Sequence, residues 1–133
     1  MDVESKIDLV MRPPTEELVV ESELRGVLET NSKPRHYIGF EISGLLHVGS
    51  LVQTGFKIRD LQKAGFHCIV WLADWHSVAN KKLDGDWAKI REASKYYAEA
   101  FKFFCPGVEP IFASDLYAKT PEFWKWVIEF SQH

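Results

Sequence analysis

Cysteine is scarce in this chain. Cys68 and Cys105 stand far apart, without paired spacing. That excludes a disulfide framework and a paired-cysteine zinc site, and it fits a reducing, cytoplasmic setting. No metal ligand set is indicated: His67, beside Cys68, lies in an apolar run and reads as part of a core edge. Positive charge is not in excess. Sixteen Lys and Arg against nineteen Asp and Glu leave a formal charge of −3. There is no basic footprint for nucleic acid, so any RNA contact is local or lies on other sequence. No apolar run reaches the ~18 residues of a membrane span. Asp2, Glu4 and Asp8 break the first turns, where a secretory leader would be apolar. Internal repeats and low-complexity segments are missing too. What is present is 133 residues, 46% hydrophobic and 26% charged, enough for one domain with a buried core.

The pattern is organised around residues 37–50. Tyr37-Ile38-Gly39-Phe40 reads as the end of a strand beginning near His36. Ser43 and Gly44 mark a turn. A helical pattern then opens near His47 and runs to Ala64, with Gly65 as its stop. Val48, Leu51, Val52, Gly55, Ile58 and Leu61 recur at spacings of three and four. Gly55 is costly inside a helix unless close packing needs it. Lys57, Arg59, Gln62 and Lys63 read as a solvated face. Phe66 to Ala73 is almost continuously apolar, as expected of a parallel strand covered on both faces. Strand, helix and strand make a βαβ unit.

Outside that unit the signals are simpler. Residues 2–11 and 16–29 carry helical patterns and form a helical preface, closed by Pro13-Pro14 and by the loop 31–34. Lys81 to Gly85 is a polar connection. Asp86 caps a helix from Trp87 to about Phe104, with Ile90, Ala93, Tyr97, Ala100, Phe101 and Phe104 as its apolar stripe. Val108 to Ala113 is a third strand, with Pro110 arguing for an edge or a late start. Thr120-Pro121-Glu122 opens a last helix, 121–132, which is apolar on more than one face. Such a helix wants cover, so the chain is expected to be part of something longer or to meet a partner there.

Two readings of the 37–50 stretch stand side by side. A strand that feeds a helix through a small-residue turn points backbone N–H groups at an anion, above all phosphate. The same residues also make a plain tight turn with His47 as a polar cap. Asp74 and His76 follow the second strand, on the edge where ligands sit in open α/β sheets. His76 is equally readable as a cap or as a satisfied imidazole.

Tyr37-Ile38-Gly39-Phe40-Glu41 with Ser43-Gly44 and His47-Val48-Gly49, then Asp60 to Gly65, then Leu72-Ala73-Asp74-Trp75-His76, resemble the archaeal and eukaryotic type of tyrosyl-tRNA synthetase. The resemblance covers the chain and the first half or less of a typical member. It implies an α/β fold with the Rossmann-like parallel sheet of a class I catalytic domain. Residues 1–35 would be an N-terminal helical extension, 36–113 the nucleotide-binding half, and 114–133 the start of the connective insertion through which such enzymes pair as homodimers. It implies activation of tyrosine with ATP to tyrosyl-adenylate, then transfer to tRNA(Tyr), with Mg2+ accompanying ATP. By the same resemblance, His47 and Ser50 would be catalytic. Gly39, His47, Gly49 and Ser50 would hold ATP, and Tyr37, Glu41 and His76 would hold tyrosine. The substrate carboxylate is itself the nucleophile, so no Ser/His/Asp set is needed.

Three departures accompany it. Ser50 stands where the family signature has a second histidine. The helix after Gly49 is one residue longer than in many relatives. The second, lysine-rich signature, the later pocket helix and the anticodon-binding region are not in this sequence. The expectation is a fragment that is inactive alone. The alternative is a nucleotide-binding or interaction module without aminoacylation; a tryptophanyl-tRNA synthetase shares the architecture, and Tyr37 favours tyrosine. The central geometric expectation is that Tyr37, His47 and His76 converge at one mouth.

Overall fold

The structure is a computed structural model and describes residues 1–132. Helix α1 (Val3–Met11) is capped by Asp2, whose carboxylate accepts the Ser5 N–H at 2.8 Å. Helix α2 (Glu21–Thr30) begins later than its pattern predicts. Val20 is extended instead, and the stiff β-branched pair Val19-Val20 accounts for the late start. Strand β1 (Arg35–Phe40), helix α3 (Val48–Lys63) and strand β2 (His67–Leu72) form the expected βαβ unit. Helix α4 (Asp74–Ala79), a 3-10 turn at Lys82–Gly85, helix α5 (Trp87–Phe104) and strand β3 (Glu109–Phe112) follow. Helices α6 (Ala113–Lys119) and α7 (Phe123–Ser131) complete the order.

The sheet is parallel and runs β1-β2-β3. Tyr37 pairs with Ile69, Gly39 with Trp71 and Phe40 with Leu72. Pro110 lies on an edge strand, as its missing N–H requires. One face is covered by α3 and α5. Ile58 and Leu61 meet Cys68, Val70 and Leu72 of the central strand, and Ile90, Tyr97 and Phe101 close the layer. Phe101 is fully buried and packs its ring 4.9 Å from that of Phe40. A buried side chain of this size contributes about 1.5–3 kcal/mol.

Gly55 explains how closely these helices approach. A Cβ at that position would lie 2.2 and 2.5 Å from Phe104 ring carbons. The backbone carbonyl of Gly55 also accepts from the Cys105 thiol at 3.3 Å. Close packing is therefore the reason for the mid-helix glycine.

Several sequence expectations need correction. Val48 is exposed and is not on the core stripe. Lys57 is not on a solvated face: its ammonium donates to the carbonyls of Leu9 (3.2 Å), Val10 (2.9 Å) and Arg12 (2.5 Å) at the end of α1. Gln62 likewise donates to the Pro106 carbonyl at 3.0 Å. The stretch after Leu72 is helical at once, and Ala113 opens a helix instead of ending a strand. Helix α7 starts at Phe123, without a side-chain cap; Thr120 contributes only its carbonyl, which accepts the Phe123 N–H. Finally, β2 is covered by helices on one face. On its other face Ile69 and Trp71 stay half-buried beside exposed Tyr37.

Candidate functional site

That second sheet face is the floor of a cleft of about 560 Å³. Tyr37 and Arg35 of β1, Ile69 and Trp71 of β2, Ile111 of β3 and Leu116 of α6 line it. Alternation puts Tyr37 on this face, because the even-numbered neighbours Ile38 and Phe40 turn into the core. A Cβ added to Gly39 would meet Trp71 at 3.7 Å, an ordinary contact. Packing within this chain therefore does not demand glycine at position 39.

At the carboxyl edge of the sheet, β1 leads into α3. His47 is the N-cap: its Nδ1 accepts the Gly49 N–H at 3.1 Å. An accepting Nδ1 leaves the proton of the neutral ring on Nε2, facing solvent. The ring lies so near the first turn that a Cβ on Gly49 would come within 3.0 Å of Nδ1. A side chain at position 49 would therefore crowd the capping ring. The N–H groups of Val48 and Ser50 stand in the first turn, where the helix supplies no acceptor. Ser50 is exposed on the same turn.

Helix α4 begins where β2 ends and ties the edge together from one face. Asp74 is completely buried. Its Oδ1 accepts the N–H groups of Trp75 (2.8 Å) and Ser114 (2.9 Å). Its Oδ2 accepts from the Ser114 hydroxyl (2.6 Å) and from Arg91 (2.9 Å). One turn on, the buried Ser77 hydroxyl accepts the Ile42 N–H at 2.7 Å and donates to the Ala73 carbonyl at 2.9 Å. At the end of α4, Asn80 donates to Glu41, and Lys82 pairs with Glu41 at 3.3 Å. The Asn80 hydrogen bond, followed by Lys82 and more weakly His76, holds the Glu41 carboxyl below its ordinary range.

Exposed His76 lines a second hollow of about 340 Å³, with Trp75, Tyr117, Phe123 and Trp124. Tyr117 stacks on Phe123 at 4.1 Å and sits 6.0 Å from Trp71, so its ring joins this hollow to the Tyr37 cleft. Burial, and then the Asp74 carboxylate, push the Tyr117 phenol up.

The structure does not gather the predicted residues at one point. Tyr37 lies on the cleft floor, three positions before the end of β1. His76 lies in the adjoining hollow, and Glu41 is near it. His47 lines neither hollow and stands at the start of α3. Sequence reasoning missed Trp71 and Leu116 as cleft walls, Tyr117 as a wall of the hollow, and Arg91 and Ser114 as partners of Asp74. The aromatic at position 71, inside a strand next to the Asp74 turn, was the one available signal.

Comparison with known proteins supplies an independent line. The pattern of the family described as tRNA synthetases class I (W and Y) matches residues 29–123. Tyrosine-tRNA ligase 1 of Pyrobaculum aerophilum is 44% identical across the whole chain. The tyrosine-tRNA ligase of Thermococcus kodakarensis is 43% identical, also across the whole chain. The chain spans 38% and 37% of the length of these two relatives. Among solved structures, the tyrosyl-tRNA synthetase of Pyrococcus horikoshii complexed with L-tyrosine superposes with a TM-score of 0.86 at 39% identity, over 99% of this chain and 38% of that one. The enzyme from Aeropyrum pernix gives 0.87 at 35% identity, over 99% of this chain and 40% of that one.

Proposed function

The chain belongs to the class I tRNA synthetases for tryptophan and tyrosine, and from that premise we propose that it is the substrate-binding part of a tyrosine-tRNA ligase. The whole protein joins tyrosine to ATP, forming tyrosyl-adenylate and pyrophosphate, and then transfers the tyrosyl group to tRNA(Tyr). The observation that carries this reading is the capped start of α3, reached through residues 41–47 from a strand whose open face presents Tyr37. In it, ATP phosphates meet the Val48 and Ser50 N–H groups, the dipole of a sixteen-residue helix and the Nε2–H of His47. Gly39 and Gly49 let the nucleotide approach the backbone, which agrees with the absence of a packing demand at position 39. Tyrosine lies on the sheet face, with its phenol toward Tyr37 and its walls formed by Trp71 and Leu116. Glu41, just after β1, and His76 of α4 border the same substrates.

The chemistry asked of these residues is electrostatic. The tyrosine carboxylate attacks the α-phosphorus, and the bond to pyrophosphate breaks. Fixed donors that stabilise the developing charge are the principal contribution of such a site. Mg2+ enters with ATP. Among the described residues no group of three or more His, Cys, Asp or Glu side chains is arranged to hold a metal. The ion is carried by the ATP phosphates. Partners of the whole protein are tRNA(Tyr) and, for a homodimer, a second copy. The exposed Trp124, Trp126, Ile128 and Phe130 of α7 support the pairing. A cytoplasmic setting follows from tRNA as partner; no described helix is long and apolar enough to cross a membrane.

The test is His47→Asn in the full-length protein, read by tyrosine-dependent exchange of pyrophosphate into ATP. Asparagine is a strong N-cap, so the start of α3 survives while the imidazole is lost. Exchange is expected to fall by roughly 100-fold, with the melting midpoint unchanged. Full exchange in this variant would reduce His47 to a cap. Exchange driven by tryptophan and not tyrosine would transfer the assignment to the sister enzyme. ATP binding with no exchange by the wild type would favour a nucleotide-binding module.

A further inference from the structure

We propose that Asp74, through Arg91 and Ser114, is the positioning residue of the amino-acid cleft: it sets the spacing between α4 and α6. This rests on the assignment of that cleft to tyrosine. The sheet by itself leaves that spacing open. Pairing between β2 and β3 ends at Leu72 and Phe112, and each strand turns into a short helix with no intervening loop. Beyond that rung the two helices are bolted by a single carboxylate. Asp74 is the first residue of α4, and Ser114 is the second of α6. Both Ser114 donors, N–H and hydroxyl, are spent on Asp74.

Arg91 holds the far side of the bolt. Its Nη1 reaches Asp74 and the Ser114 hydroxyl, each at 2.9 Å, and its Nη2 reaches Asp115 at 3.3 Å. The guanidinium also lies 4.7 Å from the Phe112 ring centre and 5.6 Å from that of Trp87. A planar cation packed on aromatic rings and held by three acceptors has little freedom to turn. A buried ion pair is weak evidence for stability, because an apolar replacement of similar volume does as well. What apolar contact does not supply is direction, and direction matters here. Leu116 of α6 lines the Tyr37 cleft, while Tyr117 of α6 and His76 of α4 line the hollow joined to it. A small rotation of α6 against α4 would move cleft walls on both sides.

The experiment uses the full-length protein and separates the Michaelis constants for tyrosine and for ATP. Ser114→Ala removes the hydroxyl, which donates to Asp74 and accepts from Arg91, and keeps the backbone N–H bond; Ser114→Thr keeps the hydroxyl. Asp74→Asn replaces an acceptor facing Arg91 with a donor. Ser114→Ala and Asp74→Asn are expected to raise KM for tyrosine by roughly tenfold, since misplacement of about 1 Å carries penalties of this order or larger. KM for ATP stays put, and Ser114→Thr restores the tyrosine value. Loss of melting temperature with KM for tyrosine unchanged in both variants would overturn the proposal, as would an equal rise in both constants. A wild type without tyrosine-dependent exchange would remove the cleft assignment and the proposal with it; failure of the positioning idea alone leaves the wild type active.

Discussion

Gly55→Ala is the substitution that most directly tests how α3 meets α5. In an isolated helix alanine is better than glycine by about 1 kcal/mol, so a surface argument predicts stabilisation. The structure predicts the opposite. The added methyl would stand 2.2 Å from one carbon of the Phe104 ring and 2.5 Å from another. The ring cannot yield freely, because Phe104 also packs against the core cluster. Overpacking of this kind costs about 1–3 kcal/mol. After the helical gain, the net loss is about 0–2 kcal/mol. The informative quantity is the coupling. With Phe104→Ala in the background the clash is gone, and Gly55→Ala stabilises by about 1 kcal/mol. The double-mutant cycle therefore returns about 1–3 kcal/mol of coupling. Urea unfolding of the 133-residue chain measures it, provided the slope is equal across the four proteins. Stabilisation by Gly55→Ala alone, with additive effects, would refute the claim that this glycine exists for helix contact.

Three further outcomes follow from the same coordinates. Lys57→Met leaves the last carbonyls of α1 without their ammonium; the loss is about 1 kcal/mol after discounting for solvent access, and amide exchange at Leu9 to Arg12 accelerates, whereas unchanged exchange would mean the contact has no energetic weight. Burial, and secondarily the Lys57 charge, hold His36 below its ordinary value of 6.5, and its buried Nδ1 has no hydrogen-bond partner. The unfolded state then binds a proton that the folded state refuses, so stability is full above about 6.5 and drains as pH falls below it; His36→Phe should flatten the fall in melting temperature between pH 7 and pH 5.5, and an unaltered slope would assign it to other groups. Burial pushes the thiols of Cys68 and Cys105 up to about 11 each. Iodoacetamide at pH 8 should leave both unmodified until denaturant is added, and labelling of the native chain would show that the core opens.

The βαβ unit was legible because its periods contrast: an apolar run, a stripe at spacings of three and four, then a second run. His47 as the first cap and Gly65 as the stop were local signals, and both hold: the ring caps α3, and Gly65 takes a φ of +96°. What was illegible is equally instructive. Helices α4 and α6 have six and seven residues, under two turns each, so no stripe is long enough to register. Lys57 looked like solvent-facing charge because its acceptors, the α1 carbonyls, are close only after folding. Trp71 and Leu116 looked like ordinary apolar positions. Their membership of the cleft follows from strand register and from where α6 begins.

The mouth of the site is consequently shaped by one short helix more than by the sheet beneath it. On α4, residues 74, 77 and 80 recur at a spacing of three, and each spends a polar side chain on a different neighbour. Asp74 reaches the segment after β3, Ser77 the backbone after β1, and Asn80 the Glu41 carboxylate. Parallel strands share hydrogen bonds only up to their last rung, so the loops beyond them need an external template. A helix of six residues can serve as one because its three polar contacts are distributed along its whole length. The exposed pair Trp75 and His76 falls between the buried anchors Asp74 and Ser77. Stability and recognition are thereby assigned to interleaved positions of the same turn. Substitutions at 75 and 76 are expected to alter the hollow beside the cleft, and substitutions at 74 and 77 the seating of α4 that shapes it.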